Sequence, residues 1–224
     1  MVAADTQNCS KHRATEIGRY NFERVDSFTY LGSLVAIIMS QKKEITNRLI
    51  VANRAHFGLK NQLESQLLSK NTKIFIYKTL VKPVFTYVTE TWTTTKNDER
   101  RLSIFKRKIL PRIFDPKYKR GQWPKRYNGK LEELYNEPDT VNVIKSSRLR
   151  WAGHVAWMDK NELPKKILWT NPGGQCRRGR PKSRWTDREE EDARKLGCRN
   201  WLAAAQDRGR WRHLLEEAKA HPGL

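Results

Sequence analysis

The chain has 224 residues, with 45 Lys or Arg against 24 Asp or Glu, a net charge of +21, and apolar and aromatic shares of 38% and 10%. That length holds one large domain or two small ones, and the aromatic share is too high for a solvated disordered tail. The longest apolar run, Leu34 to Met39, falls far short of the roughly 20 residues of a membrane span, Met1 to Ser10 lacks a leader pattern, and the three cysteines are too scattered for a disulfide framework. The balance predicts a nuclear or cytoplasmic, non-secreted chain whose partner is RNA or DNA and not a membrane.

Residues 1–40 carry short apolar stretches, Phe22 to Val25 and Phe28 to Ile38, divided by Gly18 and Gly32, and predict two short strands with a tight turn. From Ser40, a plausible cap, the period becomes helical: Ile45, Leu49, Ala52, Leu59, Leu63 and Leu67 share a face. A second helix after Ser69 turns Ile74, Tyr77, Val81 and Val84 inward until Pro83 kinks or ends it. A third, about Asp98 to Phe114, sets Leu102, Phe105, Ile109 and Ile113 on one face and Arg101, Lys108 and Arg112 on another, with Pro111 near its end.

Prolines 116, 124 and 138 with Gly121 and Gly129 predict a basic linker over 115–140. Beyond it, six of the eight tryptophans fall between Trp151 and Trp211, which predicts a small Trp-rich module over 141–224. Within it, Thr186 with Glu189 reads as a capping box, Arg194 and Lys195 close the helix, and Gly197 ends it. A last helix from Asp207 buries Trp211, Leu214, Leu215 and Ala218. The fold class is therefore mainly α.

No metal or cofactor is expected: Cys176, Cys198, His154 and His213 lack the close ligand pairs of a zinc site. The acids Asp187, Glu189, Glu190, Glu191 and Asp192 read as helix-start residues that favour the dipole, not as magnesium ligands. No catalytic residue is assigned. The basic patches carry more signal. Residues 100–126 hold eleven Lys or Arg against one acid, interleaved with Tyr118 and Trp123, a pattern that suits phosphate contact and base stacking or, alternatively, a solvated helix face. The run Arg177, Arg178, Arg180, Lys182 and Arg184 contains no acid, and Arg178-Gly179-Arg180-Pro181 resembles the core of an AT-hook. In that motif Gly lets the backbone lie deep in a narrow minor groove while Pro keeps the arginines extended. General phosphate contact and a nuclear-import loop are the other readings of this run.

Several phrases, in order, resemble the carboxy-terminal part of LINE-type (non-long-terminal-repeat) retrotransposon reverse transcriptases. Phe28-Thr29-Tyr30-Leu31-Gly32 is similar to the primer grip, which assigns Phe28, Tyr30, Leu31 and Gly32 to it. Glu44 to Phe57, Lys73 to Pro83 and Tyr87-Val88-Thr89-Glu90-Thr91-Trp92 resemble the helical thumb. Arg148-Leu149-Arg150-Trp151-Ala152-Gly153-His154-Val155, the Arg178 to Pro181 run, Arg184-Trp185-Thr186-Asp187, and Asp207-Arg208 with Trp211 resemble the tail of the family. Val88 stands where the family usually has Gly, Trp157 where it usually has Arg, and Pro111 where a helix residue is usual.

The resemblance implies a palm-edge remnant over 1–40, a helical thumb over 41–114, the linker, and the tail module. It also implies nucleic-acid contacts from Arg101, Lys108, Arg112, Arg148, Arg150, Arg177, Arg178, Arg180, Lys182 and Arg184. The family's catalytic aspartates lie upstream of the primer grip, in a Tyr/Phe-x-Asp-Asp turn that these 224 residues do not contain. Two-metal phosphoryl transfer needs such carboxylates, so the expectation is a non-catalytic fragment that keeps template-primer binding. The alternatives are a domesticated chromatin or DNA-binding adaptor that uses the RGRP loop, and a polymerase part active only with a separately encoded palm.

Overall fold

The computed structural model describes residues 15–23, 25–36, 41–114, 127–170, 184–221 and 224. Two compact units divide it, Met1–Glu44 and Ile45–Leu224. The fold is mainly α, as the periodicity predicts.

The first unit contains two antiparallel hairpins, β1 (Thr15–Ile17) with β2 (Tyr20–Phe22), and β3 (Ser27–Tyr30) with β4 (Ser33–Ala36). Four short strands thus replace the two predicted. Gly18 turns the first hairpin at φ 64°. Leu31 and Gly32 close the second with both φ values positive, the requirement of a two-residue type I′ turn. Among the described residues of this unit only Glu44 is buried, and its carboxylate accepts the Leu34 N–H at 2.8 Å.

The remaining elements are helical. Helix α1 (Gln41–Gly58) is followed by α2 (Lys60–Glu64), so the single predicted face breaks at Gly58. Ile45, Ala52 and Leu63 are buried and Leu49 and Leu59 partly so, whereas Leu67, beyond both helices, is 96% exposed. The predicted cap Ser40 lies outside the described residues. Helix α3 (Lys70–Ile76) is capped by Ser69, whose hydroxyl accepts the Thr72 N–H at 3.1 Å. A π turn, Tyr77–Val81, then carries the chain into α4 (Lys82–Thr86), with Pro83 in its first turn. Proline can supply no N–H to the carbonyl one turn back, and the wider π turn takes up the register change. Tyr77 and Val81 face inward as predicted, together with Phe85.

A 3-10 turn (Thr89–Thr91) leads to α5 (Lys96–Ile113), which starts two residues before the predicted point because Thr95 and Asp98 form a capping box. Its predicted face, Leu102, Phe105, Ile109 and Ile113, is buried throughout. Of the stretch predicted as linker, 115–126 lies outside the described residues, while Asn128–Tyr135 forms α6 and buries Leu131 and Tyr135.

Then follow α7 (Thr140–Trp157), α8 (Leu163–Trp169), α9 (Trp185–Lys195), α10 (Trp201–Gln206) and α11 (Arg208–Ala220). Asp207 caps α11 by accepting the N–H groups of Gly209 and Arg210, and the predicted apolar face from Trp211 to Ala218 is buried. Helix α9 ends as expected, with Gly197 at φ 75° and the Gly197 and Cys198 N–H groups bonding back to Arg194 and Ala193, a Schellman motif. Its start differs. The Asp187 carboxylate accepts the Arg184 N–H at 2.7 Å, and Glu189, read in the sequence as the box glutamate, is buried elsewhere.

Two apolar clusters make up the core of this unit, one running from Ile45 to Ile144 and the other from Leu149 to Leu224. Helix α7 belongs to both: Ile144 packs in the first, and Leu149, Ala152 and Ala156 pack in the second.

Candidate nucleic-acid interface

The predicted basic positions of α5 line a seam with α1. Arg101 donates to the Thr46 hydroxyl at 2.8 Å, Lys108 Nζ to the Asn53 side-chain carbonyl at 2.9 Å, and Arg112 to His56 Nε2 at 3.3 Å. Donors and acceptors advance together along the two helices, so α1 and α5 run in the same direction, with long side chains bridging between them. Heptad spacing brings Arg101 and Lys108 to the same edge.

The seam retains its positive field, since Thr46, Asn53 and His56 accept hydrogen bonds without supplying charge. Asp98 lies 3.8 Å from Arg101 and Glu64 3.5 Å from Arg112, and both oppose that field in part. Lys108 is exposed and bonded to a neutral amide. Burial, then the Arg112 and Lys108 charges, hold His56 below its ordinary pKa, so it serves Arg112 as a neutral acceptor.

Arg148 behaves differently from its expected role. It is 1% exposed and sits on the inner side of α7, where Nη1 donates to the Trp92 carbonyl at 2.9 Å, Nη2 pairs with Asp192, and Nε faces Glu189 at 2.5 Å. A guanidinium so enclosed cannot reach a phosphate, and the assignment of Arg148 to nucleic-acid contact is corrected to a buried link between α7, α9 and the turn before α5. Arg148 faces both buried carboxyl groups there, and Lys195 also reaches Asp192 at 3.7 Å. Burial, with Asp192 beside it, pushes the Glu189 carboxyl up to about 8 despite the attraction of Arg148. The clue in the sequence was Glu189 and Asp192 at i, i+3, the spacing that points two acids the same way from one helix.

Arg150, two residues on, is exposed, and Arg184 is exposed at the start of α9. Arg177, Arg178, Arg180 and Lys182, with the AT-hook-like run, lie outside the described residues. The primer-grip-like residues Phe28, Tyr30, Leu31 and Gly32 are exposed on the second hairpin. Among the described residues no group of three or more His, Cys, Asp or Glu is placed to hold a metal ion, and no helix is long and apolar enough to cross a membrane.

Sequence reading missed a groove among the tail helices, with a volume of about 1050 Å³. Trp151, Trp169, Trp185 and Trp201 line it, with Arg184 and Arg199 among its polar residues. Lys165 Nζ ties α8 to the end of α7 through the carbonyls of Ala156 at 2.9 Å and Met158 at 2.7 Å. Trp185 is fixed by its N–H, which donates to the Glu90 carbonyl at 2.9 Å.

The chain is similar to a protein of Caenorhabditis elegans described as transposon-derived and otherwise uncharacterized. The two are 28% identical over 193 residues, which is 84% of this chain and 69% of that protein. No family model matches the sequence, and no solved structure matches it.

Proposed function

We propose that this chain is the thumb and tail portion of a LINE-type retrotransposon reverse transcriptase, and that it binds RNA or DNA without carrying out chemistry of its own. The observation that carries this reading is the similarity to a transposon-derived protein across 84% of the chain, which spans the thumb-like and tail phrases together. A net charge of +21 and the basic α1/α5 seam support the binding role. Lys108, Arg101 and Arg112 track the phosphate backbone from the seam, Arg150 and Arg184 add contacts from the tail, and the acid-free run Arg177, Arg178, Arg180 and Lys182 adds positive charge in sequence. A reverse transcriptase palm is the partner with which such a chain would take part in RNA-directed DNA synthesis.

Titration of an RNA–DNA hybrid and of mixed-sequence duplex, followed by fluorescence anisotropy at several salt concentrations, tests the proposal. Affinity should fall with a log-log slope of about −0.7 to −0.9 per neutralised phosphate. Replacing Lys108 and Arg112 with Ala should make the slope shallower by roughly one to two units without changing base preference. Binding that ignores salt, or no binding at all, rejects the reading.

A further inference from the structure

Tryptophan rings in the tail form a graded row from the core to the surface. Trp211 is fully buried, Trp201 lies 6.3 Å from it at 41°, and Trp169 stacks on Trp201 at 6.3 Å and 13°. Trp169 ends the row 49% exposed and lines the groove, on a helix that buries none of its own residues. A large flat ring left half in water adds little to a core. What it provides is a platform aligned by two buried rings behind it, in a groove that Trp151, 37% exposed, also lines.

The rim of the groove selects among possible occupants. Arg184 and Arg199 are exposed there, and the lining acid Glu190 is held by Arg194 at 2.8 Å. A cationic peptide is disfavoured by that rim. The complementary ligand has π faces and negative charges spaced along a backbone.

We infer that the groove between α8, α9 and α10 is a subsite for an unpaired nucleobase of single-stranded RNA or DNA, which stacks on Trp169 while Arg199 and Arg184 meet the flanking phosphates. This rests on the nucleic-acid-binding reading above and adds to it a strand state and a location. Duplex DNA keeps its bases stacked inside and cannot offer a free face, so the groove distinguishes single strands from duplex.

The test uses the full chain, a short oligothymidylate, its oligouridylate counterpart, and an abasic strand of the same length. The two base-bearing strands should bind roughly 5- to 160-fold more tightly than the abasic one, the range expected for one stacked base. They should also quench tryptophan fluorescence. Trp169→Ala should abolish the base-dependent difference while leaving duplex binding and the far-ultraviolet circular dichroism unchanged, and Trp169→Phe should restore part of it. Arg199→Ala, on a position that buries nothing, should reduce the salt slope for single strands by about one unit.

A Trp169→Ala protein that still prefers base-bearing strands overturns the subsite while leaving the binding reading intact, as does a wild-type chain that binds abasic and base-bearing strands equally. Absence of salt-dependent binding to any strand overturns both. Sedimentation that shows a dimer dissociated by Trp169→Ala would assign the groove to a second copy of this chain and overturn the inference.

Discussion

A methyl group added at Gly153 would stand 2.1 Å from the indole nitrogen of Trp211. Helix α7 reaches α11 this closely only because residue 153 has no side chain, and the buried ring fills the space. Gly153→Ala should destabilise the protein by roughly 2–3 kcal/mol, the cost of overpacking a rigid site, even though alanine is the better helix former. Urea denaturation measures it. Trp211→Phe should lessen the effect of Gly153→Ala, and strict additivity of the two substitutions would show that the ring is not what the methyl meets.

Arg148→Met removes the cation that joins Glu189 and Asp192, leaving Glu189 buried without a cation and Asp192 with only the longer contact to Lys195 at 3.7 Å. Destabilisation of about 3–5 kcal/mol is expected, with the salt slope of nucleic-acid binding unchanged in whatever fraction remains folded. Adding Glu189→Leu should recover a substantial part of the loss. A shallower salt slope for Arg148→Met alone would place the guanidinium on the binding surface instead.

Two groups give stability opposite dependences on pH. Glu189, with its carboxyl pushed up to about 8, keeps a proton in the folded chain that the unfolded chain loses above its ordinary value of 4.5. Its stabilising contribution is therefore complete below 4.5 and is lost as pH rises through 8. His56, held below its ordinary 6.5, has the reverse effect: its contribution is present above 6.5 and is lost as pH falls. Denaturation between pH 5 and 8.5 should show Glu189→Gln flattening the alkaline decline and His56→Gln flattening the acid one. If either variant retains the wild-type profile on its side, the assignment of that side fails.

Val88 stands in the left-handed region, at φ 60° and ψ 18°, between α4 and the 3-10 turn. A β-branched residue is poorly suited to that conformation, which costs about 1–2 kcal/mol for a residue other than glycine. Val88→Gly should raise stability by roughly 1 kcal/mol after allowance for the greater freedom of glycine in the unfolded chain. A loss of stability would mean that the partly buried valyl side chain contributes more than the backbone strain costs.

Much of the architecture is legible in local pattern. The stripe Leu102, Phe105, Ile109 and Ile113 needs only the helical period to be found, and Asp207 announces α11 by its chemistry. Failures occurred where a distant partner outweighed a local rule. Thr186 and Glu189 match a capping box, yet Glu189 is drawn into the interior by Arg148, and Asp187 takes up the capping two residues earlier. Arg148 and Arg150 look alike in the chain, and only the inward turn of α7 separates a buried link from a surface cation. Leu67 matched the period of a helix that had already ended at Gly58. The groove escaped notice because its tryptophans are far apart in sequence and meet only after four helices have packed.

Since α7 contributes Ile144 to one apolar cluster and Leu149, Ala152 and Ala156 to the other, neither cluster can melt without exposing part of the same helix. The two should therefore be lost in a single calorimetric transition. Such sharing sets which lesions the fold survives. Substitutions confined to exposed positions such as Leu67 would accumulate harmlessly, while a reading-frame shift within 140–157 would dissolve both halves of the unit at once.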